Sequence, residues 1–158
     1  MKFVPLHLIQ RGNNRQACFF ADDDYQIYLG WLKEYAEKSG CAIHSYVLMT
    51  NHVHLLVTPR SREATSHVIQ HVGRNYVTYV NRCYGKSGTL WEGRHKGCLV
   101  SDPDYLLACV RYIELNPVRA RMVDHPANYR WSSYRSNAFG ATNELLTRHS
   151  CYLELGSN

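Results

Sequence analysis

His52 and His54 stand two positions apart in Thr50-Asn51-His52-Val53-His54-Leu55-Leu56, a run that otherwise reads as a buried strand. Side chains alternate across a strand, so both imidazoles must leave the same face, close enough to hold one cation between them. The bland alternative is that each ring meets a local hydrogen bond or simply packs, although an apolar core gains nothing from two histidines. A catalytic divalent cation would also need a third protein ligand, with open positions for water and substrate oxygens. No HExxH, carboxylate triad or cysteine pair supplies one.

Arg111-Tyr112-Ile113-Glu114-Leu115-Asn116-Pro117 offers further chemistry. On a helix Tyr112 and Asn116 stack one turn apart, and Tyr112 is turned roughly 110° from the apolar stripe of Leu106, Cys109, Val110 and Ile113. Taken alone, such a tyrosine is ordinarily a rim residue with its hydroxyl in water, and an Asn before Pro ordinarily ends a helix.

The elements that must position these groups follow from periodicity. Residues 3–11 form a first strand, with Pro5 at an edge or strand start. Asp22–Asp24 open a helix to about Ser39, which Gly40 stops. Residues 41–48 and 52–58 form a hairpin, and the histidines begin its second strand. A second helix runs to about Tyr84, residues 95–100 make a fourth strand, and Ser101-Asp102-Pro103 starts a third helix ending near Leu115. Strand, helix, strand, strand, helix, strand is the order of a ferredoxin-like α+β sandwich: a four-stranded antiparallel sheet with two helices on one face. The strand bearing His52 and His54 is then internal, and the added third helix is expected near the otherwise free face. Residues 1–135 read as one domain and 136–158 as a C-terminal tail.

At 158 residues the chain suits one core. No apolar run approaches the roughly 20 residues needed to span a bilayer, and no signal-peptide pattern opens the chain, so a cytoplasmic protein without a membrane role is expected. Six scattered cysteines without a CxxC read as reduced thiols. The net charge of +5 admits an acidic partner without requiring one.

Four segments together carry a resemblance: Ser45-Tyr46-Val47-Leu48-Met49-Thr50-Asn51-His52-Val53-His54-Leu55-Leu56, Leu90-Trp91-Glu92-Gly93-Arg94, Arg111 to Ala120, and Trp131-Ser132-Ser133-Tyr134. In content and order, over about residues 6–135, the chain resembles the REP-associated tyrosine transposases. These are single-tyrosine, His-hydrophobe-His enzymes similar to the transposases of small insertion sequences. The LMPNH stretch, where that family usually has Pro, carries Thr50.

The resemblance implies cutting and rejoining of single-stranded DNA near hairpins, through a 5'-phosphotyrosine. By position it implies Tyr112 as nucleophile and His52, His54 and Asn116 as ligands of Mg²⁺ or Mn²⁺, which suit a mixed nitrogen and oxygen set with open positions. A phenol is ionised only about one part in a thousand at pH 7, so attack on an anionic phosphodiester needs such help. With free-imidazole values, cleavage would fade as pH falls through about 6 to 6.5. Arg11, Asn13, Asn14, Arg15, Arg74, Trp91, Arg94, Lys96 and Arg119 are candidates for a DNA groove bordering the open face, each alone also readable as a solvated surface group. The protein would act as a monomer or homodimer. A non-catalytic RRM-like module binding single-stranded nucleic acid is the rival reading. A two-histidine phosphoesterase would need a matching motif elsewhere, and His7, His44 and His95 read as solitary.

Overall fold

In the computed structural model, which describes residues 3–151, the strands are β1 (Leu6–Arg11), β2 (Cys41–Leu48), β3 (His52–Pro59) and β4 (Lys96–Leu99). The helices are α1 (Asp22–Ser39), α2 (Ala64–Tyr84), α3 (Pro103–Glu114), the single turn α4 (Asn116–Arg119) and α5 (Tyr134–Phe139). All pairings are antiparallel and the order is β2-β3-β1-β4, the ferredoxin-like order with β3 inside. Pro5 precedes β1, which is central, so its role is that of a strand start; its carbonyl accepts from the Val100 amide at 2.8 Å.

Both long helices end where a residue turns left-handed, Gly40 at φ 73° and Gly85 at φ 62°. At such φ a Cβ is costly, which is why glycine stands there. Asp24 ties the helices together: fully buried, its carboxylate accepts from the Phe20 and Ala21 amides at the start of α1 and from the Tyr79 and Tyr84 hydroxyls of α2. Four donors offset the desolvation of one buried charge, which unpaired would cost several kcal/mol. α1 and α2 lie against one sheet face, where Tyr28, Leu32, Val72 and Tyr76 are buried with Leu8, Leu55 and Val57. Each aliphatic side chain among these contributes about 1.5–3 kcal/mol of hydrophobic stabilisation.

α3 lies on β2 and β3. Asp102 caps it, accepting from the Asp104 and Tyr105 amides, and Pro103 follows where a missing N–H costs nothing. Its far end is fastened by Glu114, only 5% exposed, whose Oε2 accepts from Ser133 Oγ at 2.5 Å, Asn137 Nδ2 at 2.8 Å and Ser45 Oγ at 3.4 Å. Burial pushes this carboxyl above its ordinary range, and those three donors pull it back. The Trp131–Tyr134 motif thus fixes the helix that carries Tyr112.

The stretch expected as a tail from residue 136 lies against the domain in its described part. Ser136 and Asn137 are buried, the Thr147 amide donates to Ile43 O at 2.7 Å, and Glu144 pairs with Lys33 at 2.9 Å. Residues 152–158 of that expectation lie outside the described residues.

Candidate active site on the histidine face

The register of β1 against β3 sets Ile9 opposite His54 and Arg11 opposite His52. His7, two residues before Ile9, therefore shares their face and sits diagonal to His54, within reach of a ring. The two are in hydrogen-bond contact, His7 Nε2 to His54 Nδ1 at 2.9 Å, with ring centroids 5.2 Å apart. His7 is thus not solitary, as it read in the sequence. The signal for finding it was parity: once β1 pairs with β3, odd positions of β1 share a face with even positions of β3. His44, in contrast, is spent on structure, bridging Thr147 O and Thr58 Oγ1 beside an irregularity in the β2–β3 register.

The structure brings Tyr112 and the histidines to one place. The Tyr112 ring lies 5.8 Å from that of His54 and 6.0 Å from that of His7, and the rings of His52 and His54 are 5.0 Å apart. The Asn116 side chain lies close enough to His52 to oppose, in part, the lowering of its pKa. Tyr112 is 48% exposed, and the Arg119 guanidinium sits 4.2 Å from its ring centroid and donates to its carbonyl. That contact holds the turn after the interruption at Asn116-Pro117 against the tyrosine.

The hairpin turn survives Thr50. Met49 N donates to His52 O, and Thr50 O accepts from the Cys18 and Phe19 amides. The 12–18 loop is therefore a brace for the turn that launches His52. Gly12 N donates to Asn51 O at 2.8 Å in the same brace.

The ring nitrogens suit metal binding in part. Nδ1 of His54 is engaged by His7 and Nδ1 of His52 by Asn51 Oδ1 at 2.7 Å, so in each ring Nε2 is the nitrogen left for a ligand role. Among the described residues no three His, Cys, Asp or Glu side chains form a metal group. A bound cation would then take its third protein ligand from the Asn116 amide, and such an oxygen suits a hard ion with open positions.

The expectation of a loss near pH 6 to 6.5 is corrected by burial. His54 is 2% exposed, and desolvation, reinforced by His52, His7, Arg11 and Arg119, pushes it down to about 3. His52 is also lowered, by burial and then Arg11, with Asn116 opposing. His54 therefore stays neutral well below the pH at which free imidazole charges, and His52 is shifted in the same direction. For stability the sign is this: between about 3 and 6.5 the unfolded chain binds a proton that folded His54 refuses, so stability falls as pH drops through that window. Urea unfolding of the metal-free protein at pH 7 and pH 4.5 is expected to show the loss, and replacing His54 with Gln should shrink it. An unchanged pH dependence in His54→Gln would contradict this assignment.

The remaining candidates divide. Arg11, Lys96 and Arg119 are exposed on or beside the histidine face, Lys96 standing opposite Ile9. Asn14 and Arg15 are exposed in the turn after β1 at φ 53° and 57°, and Asn13 bonds Leu90 O and Thr89 Oγ1. Arg74, Trp91 and Arg94 do not border this face. They line a cleft of about 810 Å³ that Gln10 and Gly73 also line, on the helix-covered side, because Gln10 has the opposite parity to His7. Trp91 is only 9% exposed and packs on Tyr28 and Tyr76, so its ring belongs to the core.

Residues 2–116 match the family described as IS200-like transposases. The chain belongs to that family. No protein of curated function matches it by sequence. Among solved structures, a REP-associated tyrosine transposase bound to a REP hairpin superposes with a TM-score of 0.68 at 17% identity, over 96% of this chain and 92% of that one. A transposase-class protein from Deinococcus radiodurans R1 gives 0.53 at 17% identity, over 68% of this chain and 87% of that one. At these identities the likeness is one of fold, and it agrees with the α+β topology above. Among the described residues of this IS200-like transposase no helix is long and apolar enough to cross a membrane.

Proposed function

We propose that this transposase cleaves and rejoins single-stranded DNA near hairpins, with Tyr112 as nucleophile. What carries the reading is the meeting of the Tyr112 ring with those of His54 at 5.8 Å and His7 at 6.0 Å, on the face that also holds His52. The Tyr112 oxygen attacks phosphorus, the bond to the 3'-oxygen breaks, and the phenol's proton is taken up, in net terms, by the departing 3'-hydroxyl. One phosphodiester replaces another, so the 5'-phosphotyrosine keeps the bond energy for rejoining and no nucleoside triphosphate is needed.

His52, His54 and Asn116 would hold Mg²⁺ or Mn²⁺, which when bound polarises the scissile phosphate and spreads its charge. His7 holds His54 in one orientation, and Arg119 braces the turn behind Tyr112. Arg11, Lys96 and Arg119 supply positive charge for neighbouring phosphates. The Deinococcus protein and the hairpin-bound REP-associated enzyme share the fold, and the DNA hairpin on the latter supports a like substrate here.

The test incubates the protein with end-labelled hairpin-bearing single strands and Mn²⁺ or Mg²⁺, then resolves products on a denaturing gel. A labelled protein–DNA adduct is expected. Binding with no adduct under either metal would favour the non-catalytic module instead.

Binding itself should respond to salt. If the three exposed cations neutralise about three phosphates, log affinity falls with log salt at a slope of about −2. Anisotropy titrations between 50 and 200 mM salt are then expected to lose roughly tenfold to twentyfold in affinity. A flat response would exclude an electrostatic path across this face.

A further inference from the structure

Beside Tyr112 the surface of α3 is notched. Tyr105 and Tyr112 are seven residues apart, two turns and about 10.5 Å along the axis, on nearly the same side of the helix. Between them Ala108 and Cys109 are short, so the helix surface drops, and His7 closes the notch from β1; these five residues line a cleft of about 360 Å³. Tyr105 is 62% exposed, and among the described residues no ring contact involves it. An aromatic held in water by a capped helix and stacked on nothing gains from a flat partner.

We infer that this cleft is a subsite for one unpaired nucleobase of the strand being cut, the base adjoining the scissile phosphate, with Tyr105 as its stacking platform. The inference rests on the transposase reading above and adds what that reading lacks, a place for the base. Three observations select this occupant. Tyr112 is a wall of the cleft and the proposed attacking group, so whatever fills the cleft adjoins the phosphate attacked. At about 360 Å³ the cleft is at the small end of ligand sites, the scale of a nucleoside and far below that of a duplex. Arg11, Lys96 and Arg119 are exposed around the same face, where the base's own phosphates would run. Aromatic stacking tolerates any base, so Tyr105 would contribute affinity and position without reading sequence.

The experiment uses hairpin-bearing single strands carrying 5-iododeoxyuridine at successive unpaired positions, irradiated on the full-length Tyr112→Phe protein so that no cleavage intervenes. Cross-linking to Tyr105 from the position beside the cleaved phosphate is expected. On the otherwise wild-type protein, Tyr105→Ala should slow adduct formation about tenfold or more, and Tyr105→Trp should restore it to within about threefold. An abasic site at the same position should bring wild type and Tyr105→Ala to equal rates. Cross-links confined to the 810 Å³ cleft, or an undiminished Tyr105→Ala defect on the abasic strand, would overturn the subsite. Absence of any adduct from the wild-type protein would sink the nucleophile instead, while the cross-link would still decide the base.

Discussion

Tyr112→Phe is expected to abolish the covalent protein–DNA adduct while hairpin-strand affinity stays within about twofold of wild type. The substitution removes one oxygen and keeps the ring. Because the ring is 48% exposed and its hydroxyl has no hydrogen-bond partner among the described residues, loss of that oxygen opens no cavity and strands no buried partner. Arg119 can lie over a phenyl face as it does over the phenol, so the turn after α3 stays braced. Stability should change by less than about 0.5 kcal/mol. Denaturing gels and anisotropy, run side by side on the same strand, separate chemistry from binding. An adduct that persists in Tyr112→Phe would assign the nucleophile to another residue and withdraw the proposed reaction.

The second large effect is structural and reaches the site through a glycine. A Cβ on Gly12 would lie 2.3 Å from Gln16 O, 2.8 Å from Cys18 Sγ and 3.3 Å from Asn51 O. Two of these are backbone atoms, one of them in the strand-launching turn, so relief cannot come from a side-chain rotation. Gly12→Ala must therefore push the 12–18 loop off Thr50 and Asn51, whose carbonyls accept from Cys18, Phe19 and Gly12 itself. Overpacking against backbone costs about 3 kcal/mol, which in a domain of this size lowers Tm by roughly 6–12 °C. Because His52 follows that turn directly, adduct formation should fall further than stability alone explains. Differential scanning fluorimetry and the gel assay at a temperature where the variant is fully folded measure the two parts. A variant with wild-type Tm would mean the loop has slack that these contacts deny.

Much of this protein is legible residue by residue where local rules act alone. Glycine at 40 marked a helix end because only a residue without Cβ turns left-handed cheaply, and Asp102-Pro103 marked a helix start because its cap and missing N–H match the first turn. Period two in β3 placed His52 and His54 on one face, and the order of elements implied the sheet. The ends of β1 and β4 were shorter than apolar runs suggested, since pairing partners decide where a strand stops. Burial lay out of reach as well. Trp91 reads identically as a base-stacking platform and as a core residue, and only packing on Tyr28 and Tyr76 decides it.

By itself, then, the order of residues determined the alternation, the caps and the spacing of Tyr112 from Asn116, because each depends on neighbours within a turn or a pleat. It also carried the motifs that mark the family. Only the tertiary structure decided that His7 meets His54, that Glu114 is held by Ser133 and Asn137, and that Arg74 and Arg94 lie across the sheet from the imidazoles. Those contacts join segments 19 to 47 positions apart or depend on which face a strand turns inward. Strand register and helix docking set them, and both are settled by the shared core, which no short window of sequence contains.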